Sequence, residues 1–319
     1  MNRPVGVVAD LAQRLCANIG RVLVGKDGAI ELAVVTLLAD GHLLIEDVPG
    51  IGKTMLAKTL ARSLGCTFRR LQCTPDLLPA DITGLHYFNQ KTQEFEFRPG
   101  PVFTHILLAD EINRATPRTQ AALLECMEER QVTVETGTVV LARPFIVIAT
   151  QNPVELQGTF PLPEAQLDRF LLQLPIGYPA DDDEVAILRR FRVASPLDEL
   201  TAVTGAEEIV TLQRAIREVH VSAAVEHYIV EIVRATRAHP EIELGASPRA
   251  SLGMGRAAQA LAAVRGRTYV LPDDVKVLVP YVLPHRLILT AQARLRDRGA
   301  REIAGEILRA VPAPVERDA

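Results

Sequence analysis

LLIEDVPGIGKT, Leu43–Thr54, is the stretch around which the chain arranges itself. Leu43, Leu44 and Ile45 form a short aliphatic run of the kind that makes a buried strand. Pro49, Gly50 and Gly52 break regular structure, and Met55, Leu56, Ala57, Leu60 and Ala61 then recur at helical spacing. Strand, glycine loop, Lys-Thr and helix together cradle a nucleotide phosphate tail, because loop amides and the helix N-terminus face the anion. In this arrangement Lys53 reaches the β- and γ-phosphates and the Thr54 hydroxyl holds Mg²⁺. Pro49, Gly50, Ile51, Gly52, Lys53, Thr54 and Met55 are the candidate nucleotide contacts. One position departs from the pattern: Asp47 stands where the first glycine is expected.

A second stretch carries the complementary chemistry. In HILLADE, His105–Glu111, three aliphatic residues end in two adjacent carboxylates. Ligand chemistry on an open parallel sheet gathers at the carboxyl ends of its strands. Asp110 is therefore a candidate Mg²⁺ ligand, and Glu111 a candidate to orient and deprotonate the attacking water. FIVIA, Phe145–Ala149, reads as another buried strand, and Asn152 just beyond it as a polar group for the γ-phosphate or the lytic water.

The 319 residues suffice for two domains, and with 48% hydrophobic and 23% charged residues the chain can bury a large core. Aromatics are only 4% and Trp is absent, so that core is aliphatic. A formal net charge of -4 lacks the basic field of a dedicated nucleic-acid binder. Cys16, Cys66, Cys73 and Cys126 form no C-x-x-C pair and read as free buried thiols. The N-terminus lacks a secretion signal and no stretch is apolar enough to span a membrane, so the expectation is a cytoplasmic protein.

Along the chain, helices are expected over 7–20 and 29–38, and a strand over Thr67–Cys73. Hairpins are expected at Tyr87–Phe97 and around Glu135–Thr136–Gly137. Within Ile112–Glu129, after the carboxylate pair, an amphipathic helix is expected after Pro117. An irregular loop from Gln157 leads to a short helix over Glu164–Leu172 and a last strand over Leu174–Tyr178. Apolar strands alternating with helices imply a parallel sheet covered on both faces. The composition shifts at Pro179–Asp183, and from there only helices are expected, with Ser222 and Ser247 as N-caps and a frayed tail from Val311. Residues 1–178 thus read as an α/β nucleotide-binding core and 179–319 as an all-helical lid.

These residues resemble the AAA+ ATPases, and among them the MoxR branch with its helix-2 insert. The resemblance rests on Val24–Thr54, Leu107–Val134, Phe145–Leu172 and Ala246–Leu252 (ASPRASL), and covers nearly the whole chain. It implies a P-loop AAA+ core with ATP and Mg²⁺ as cofactors. Val24 and Gly25 would pack on adenine, Lys53 and Thr54 match Walker A, and Asp110 and Glu111 match Walker B. Asn152 matches sensor 1. Arg169, in L-D-R-F, resembles the arginine finger, and Arg249, in S-P-R, the sensor 2 arginine, which could act on its own site or a neighbour's. The two hairpins match the helix-2 insert and the pre-sensor-1 hairpin.

The resemblance implies a homo-oligomeric, hexameric ring that hydrolyses ATP to remodel or mature protein partners, with a von Willebrand factor A domain protein as the expected partner. A nucleic-acid motor and a metal-chelatase-type motor subunit are the alternatives. The first calls for basic hairpins, whereas HYFNQKTQEFEFR is mixed in charge. A nucleotide-bound scaffold without turnover is a fourth reading, and intact Glu111, Asn152 and Arg169 speak against it.

Overall fold

The computed structural model describes residues 3–134, 137–153, 158–192 and 195–314. The expected turn at Glu135–Thr136, the start of the loop at Gln157 and the last tail residues lie outside this set. Two helices open the chain, α1 (Arg3–Gly20) and α2 (Asp27–Leu38). Leu11, Leu15 and Ile19 recur on one face of α1 and are fully buried. The core then alternates: β1 (Leu43–Glu46), α3 (Lys53–Ser63), β2 (Phe68–Gln72) and α4 (Pro79–Thr83). A hairpin of β3 (Gly84–Asn89) and β4 (Glu94–Pro99) precedes β5 (Ile106–Asp110) and α5 (Pro117–Glu129). A second hairpin, β6 (Gln131–Val134) with β7 (Gly137–Val140), leads to β8 (Ile146–Gln151), α6 (Glu164–Leu167) and β9 (Leu172–Leu174).

β2, β5, β8, β1 and β9 lie side by side in that order, and every neighbouring pair is parallel. Alternate residues enter two different cores, as the pleat requires. Leu43, Ile45, Ile106, Leu108, Ile146 and Ile148 join the cluster built on α1, α2 and α3. Leu44, Leu107, Ala109, Val147 and Ala149 join the cluster that contains α5. The sheet is therefore parallel and covered on both faces, as the apolar strands imply.

The remainder is α7 (Asp181–Arg190), α8 (Ala206–Ile216), α9 (Ala223–Ala238), β10 (Ile242–Leu244) and α10 (Pro248–Val264). After these come α11 (Pro272–Val282), β11 (Ile288–Leu289), α12 (Ala291–Leu295) and α13 (Ala300–Ala310). Ser222 and Ser247 cap α9 and α10 by accepting from the amides of Val225 and Arg249. The buried face of α10 is mostly alanine, which lets neighbouring helices approach closely, and it shares one cluster with α1 and α2.

Three expectations need correction. The helix expected over Glu164–Leu172 ends at Leu167, and the strand starts at Leu172 rather than Leu174. The reason is pairing: the Leu171 amide donates to the His42 carbonyl, and Leu172 and Leu174 fall in register with Leu43 and Ile45. The lid is not purely helical, since β10 and β11 pair antiparallel. The tail is not frayed at its start, where Val311 and Ala313 pack against the lid cluster.

Candidate functional site

Phosphate-loop chemistry begins at the carboxyl edge of the sheet. Gly52 caps α3 at φ 98° and Gly50 turns at φ 86°, left-handed conformations that favour glycine. The Leu56 amide donates to the Gly52 carbonyl, so the amides of Lys53, Thr54 and Met55 belong to the open first turn of α3. That turn is an anion-binding end. Lys53 Nζ donates to the Asp47 carbonyl at 2.6 Å and lies 3.4 Å from the Gln151 carbonyl, which places the ammonium between β1 and β8.

Asp47 has a structural task that its departure from the motif does not advertise. Its Oδ1 accepts from the Val48 amide (2.8 Å), and its Oδ2 from the amides of Ile176 (2.9 Å) and Gly177 (2.7 Å). The loop is thereby strapped to the segment after β9. Val24 and Gly25 meet the same region: Lys26 Nζ donates to the Tyr178 carbonyl, and Gly25, at φ 67°, lies so close to Asp183 that a Cβ would meet its carboxylate. The candidate adenine and phosphate contacts thus share one support.

Asp110 and Glu111 emerge beside this loop at the end of β5. Asp110 is 9% exposed. Its Oδ1 accepts from the Thr150 hydroxyl at 2.6 Å, and its Oδ2 from Arg70 Nε at 3.1 Å and Nη2 at 2.7 Å. Glu111 stands in the left-handed region at φ 57°, and its amide donates to the Thr150 hydroxyl at 2.8 Å. Its Oε2 accepts from Gln72 (2.8 Å) and from Arg114 (3.2 Å). A non-glycine residue held left-handed just after a buried strand costs about 1–3 kcal/mol, which surrounding bonds must offset. Thr150 supplies that support, and Asn152, buried two residues later, directly follows the neighbouring strand.

Thr150, Arg70 and Gln72 carry no signal in the sequence. Each acts only because β2, β5 and β8 are adjacent. β8 continues past FIVIA through Gln151, and from it the Thr150 hydroxyl donates to Asp110.

Arg169 and Arg249 lie elsewhere. Asp40–His42 precede β1 and Asp47 follows it; five residues at about 3.3 Å each separate the two edges by roughly 16 Å. Arg169 belongs to the amino edge, three residues before β9, where the Leu171 amide meets the His42 carbonyl. Arg249, in the first turn of α10, donates from Nη2 to Glu128 Oε1 at 2.6 Å, and Glu128 Oε2 lies 3.1 Å from Arg169 Nε. The structure therefore brings Arg169 and Arg249 together, and Lys53, Asp110 and Glu111 together, at opposite edges.

The amino edge holds a cavity of about 450 Å³. Among the described residues Arg130, Arg143, Arg169, Arg249, Arg256 and Arg286 line it, against Asp40, Glu128 and Asp168. Arg286 is buried on Asp168 (2.7 Å), and burial pushes its guanidinium down to about 10 despite that carboxylate. Arg256 is likewise lowered by burial, with Asp40 opposing and Arg217 and Arg249 adding to the shift. The cysteines are free, and burial pushes Cys73 and Cys126 up to about 12. Among the described residues no His, Cys, Asp and Glu cluster could hold a metal by itself, and no helix is long and apolar enough to cross a membrane.

Comparison with known proteins agrees with this architecture. Residues 42–172 match the ATPase family associated with various cellular activities (AAA), and residues 234–307 match the AAA lid domain. The chain is 51% identical to the uncharacterized protein YeaC of Bacillus subtilis, over 95% of this chain and 94% of that one. It is 43% identical to chaperone MoxR1 of Mycobacterium tuberculosis, over 95% of this chain and 82% of that protein. A candidate ATPase from Cytophaga hutchinsonii has a solved structure that superposes with a TM-score of 0.91 at 37% identity, covering 98% of this chain and 97% of that one. Sheet order, phosphate loop, carboxylate pair and lid, taken with these relatives, place the chain in the MoxR family of AAA+ ATPases.

Proposed function

We propose that the protein is an oligomeric motor that hydrolyses ATP between subunits and uses the work to remodel or mature protein partners. The observation that carries this reading is the separation of its charges. Lys53, Asp110 and Glu111 gather at one sheet edge, and Arg169 and Arg249 at the other. The two arginines lie at the sheet edge opposite Lys53, Asp110 and Glu111, which favours a role for both on a neighbour's phosphates and the trans reading for Arg249.

In this reading Val24 and Gly25 flank the adenine, and the amides of the Pro49–Met55 loop and helix turn hold the phosphates with Lys53. Thr54 and Asp110 offer hydroxyl and carboxylate oxygens, a donor set that suits Mg²⁺. Mg²⁺ bound there neutralises charge on the β- and γ-phosphates. Glu111, fixed by Gln72 and Arg114, accepts the proton of the attacking water, and Asn152 orients that water. The neighbour's Arg169 and Arg249 stabilise charge developing on the γ-phosphate. Their release after hydrolysis frees the lid from the next core, the step that converts turnover into motion. The hairpins expose Phe95 and Val140 at 74% and 71%, which favours them as the surfaces that meet a protein client, with a von Willebrand factor A domain partner as the expected companion.

The test is steady-state ATP turnover against protein concentration for the wild type and Glu111→Gln. Specific activity should rise with concentration. Glu111→Gln should retain ATP binding and lose about 10²–10⁴-fold in turnover. Activity that does not depend on concentration would exclude a shared site.

A further inference from the structure

Arg169 belongs to the core and Arg249 to the lid, yet one carboxylate engages both. We propose that Glu128 is the positioning residue of this pair, delivering the two guanidinium groups as a unit to the neighbouring subunit's phosphates; the inference rests on the shared-site reading above. Glu128 Oε1 accepts a hydrogen bond from Nη2 of Arg249 at 2.6 Å, and its Oε2 lies 3.1 Å from Nε of Arg169 as an ion pair without hydrogen-bond alignment, which leaves that buried Nε unsatisfied. Both Nη atoms of Arg169 have no hydrogen-bond partner among the described residues. The carboxylate thus anchors Arg249 by a charged hydrogen bond and holds Arg169 beside it by charge, which keeps two like-charged guanidinium groups at one place.

The surroundings leave this task to Glu128 alone. Of the other two carboxylates on the cavity, Asp40 is taken by Arg130 at 3.0 Å, and Asp168 by Arg286 at 2.7 Å and by the Ser247 hydroxyl at 2.8 Å. Without Glu128, Arg169 and Arg249 would face each other and Arg256 in a cavity with excess positive charge, and like charges separate. Glu128 is also the penultimate residue of α5, where the helix dipole disfavours an acid. The Ser247 hydroxyl donates to the Asp168 carboxylate and so ties together the two segments just before each arginine, which leaves Glu128 to hold the arginine side chains.

Mixed assemblies test the role. Lys53→Ala subunits lose their own phosphate site but keep the arginines; Arg169→Ala subunits keep the site but lack the finger. A mixture of the two should turn over ATP although neither does so alone. Glu128→Ala is then added to one partner or the other. On the Lys53→Ala subunit, which supplies the arginines, it should lower kcat by up to about 100-fold with the KM for ATP unchanged, the cost of a misplaced group. On the Arg169→Ala subunit it should have no comparable effect. Glu128→Gln, which keeps the volume and removes the charge, should show the same asymmetry, so a folding defect cannot imitate it. Equal effects from either side, or a change in KM alone, would overturn the positioning role. A Lys53→Ala and Arg169→Ala mixture with no turnover would instead overturn the shared site itself, and the positioning role with it.

Discussion

At the carboxyl edge of the sheet, the functional side chains are tied to one another's strands: Thr150 bonds both Asp110 and Glu111, Arg70 and Gln72 reach them from β2, and Asp47 straps the phosphate loop down. At the amino edge, Arg169, Arg249 and Arg256 line an open cavity with more positive than negative charge. One edge is internally satisfied and the other is not. A set of guanidinium groups without matching carboxylates is an incomplete site, and in the proposed reading the anion that completes it is the phosphate tail presented at another copy's carboxyl edge. The comparison predicts that damage at the two edges differs in kind. Changes to the amino-edge arginines Arg169 and Arg249 should affect turnover alone, whereas changes to Asp47 or Thr150 at the carboxyl edge should affect turnover and stability together.

The largest expected effect is at Arg169. Arg169→Ala should reduce kcat by about 10³–10⁵-fold while ATP affinity, measured by titration calorimetry on Glu111→Gln backgrounds, stays near the wild-type value. A parallel loss of affinity would place Arg169 in its own subunit's site and break the contrast between the edges.

Asp47→Gly restores the phosphate-loop pattern and should nevertheless harm the protein. It removes a carboxylate that accepts three amide bonds, each worth about 1.5–3 kcal/mol when one partner is charged. Weaker ATP binding and a lower melting temperature are expected together. A variant with equal or better ATP affinity would show that the strap is incidental. Thr150→Val, nearly the same shape, leaves the Glu111 amide and Asp110 Oδ1 short of a partner. It should cost about 1–3 kcal/mol in denaturant unfolding as well as turnover. Lost turnover at unchanged stability would mean that Thr150 acts on the substrate rather than on the carboxylates.

The two edges were unequally legible in the sequence. Lys53, Thr54, Asp110 and Glu111 sit in short contiguous motifs next to aliphatic runs, so strand periodicity alone put them at one end of a parallel sheet. Thr150, Arg70 and Gln72 had no such context, because strand order, β2 beside β5 beside β8, is a long-range property. The amino edge draws on residues from Asp40 to Arg286, and no spacing rule joins them. Arg169 and Arg249 came from family resemblance, whereas Glu128, inside an ordinary amphipathic helix, offered nothing to read. The helix expected through Leu172 failed for the same reason: local propensity favoured it, but pairing with β1 took Leu172 into the sheet.

The smallest effect concerns pH, and it again separates the edges. His42, just before β1, is buried, with Nε2 donating to the Met127 carbonyl and Nδ1 accepting from the Val147 amide, both at 3.0 Å. It is therefore neutral, and burial, reinforced by Arg130 and Arg256, pushes its pKa down to about 3. His285, next to Arg286, is shifted the same way by burial and that arginine. A histidine depressed in the folded state binds its proton more readily when unfolded. Its stabilising contribution is complete above about pH 6.5 and is lost as pH falls from there toward 3, at about 1.4 kcal/mol per pH unit for each such histidine. Chemical denaturation at pH 7.5 and 5.5 should show this loss, and His42→Gln should flatten the slope. An unchanged slope would remove His42 from the account. Protonation there would add a cation to an edge that already holds too many, so acid should loosen the arginine-bearing edge before it affects Asp110 and Glu111.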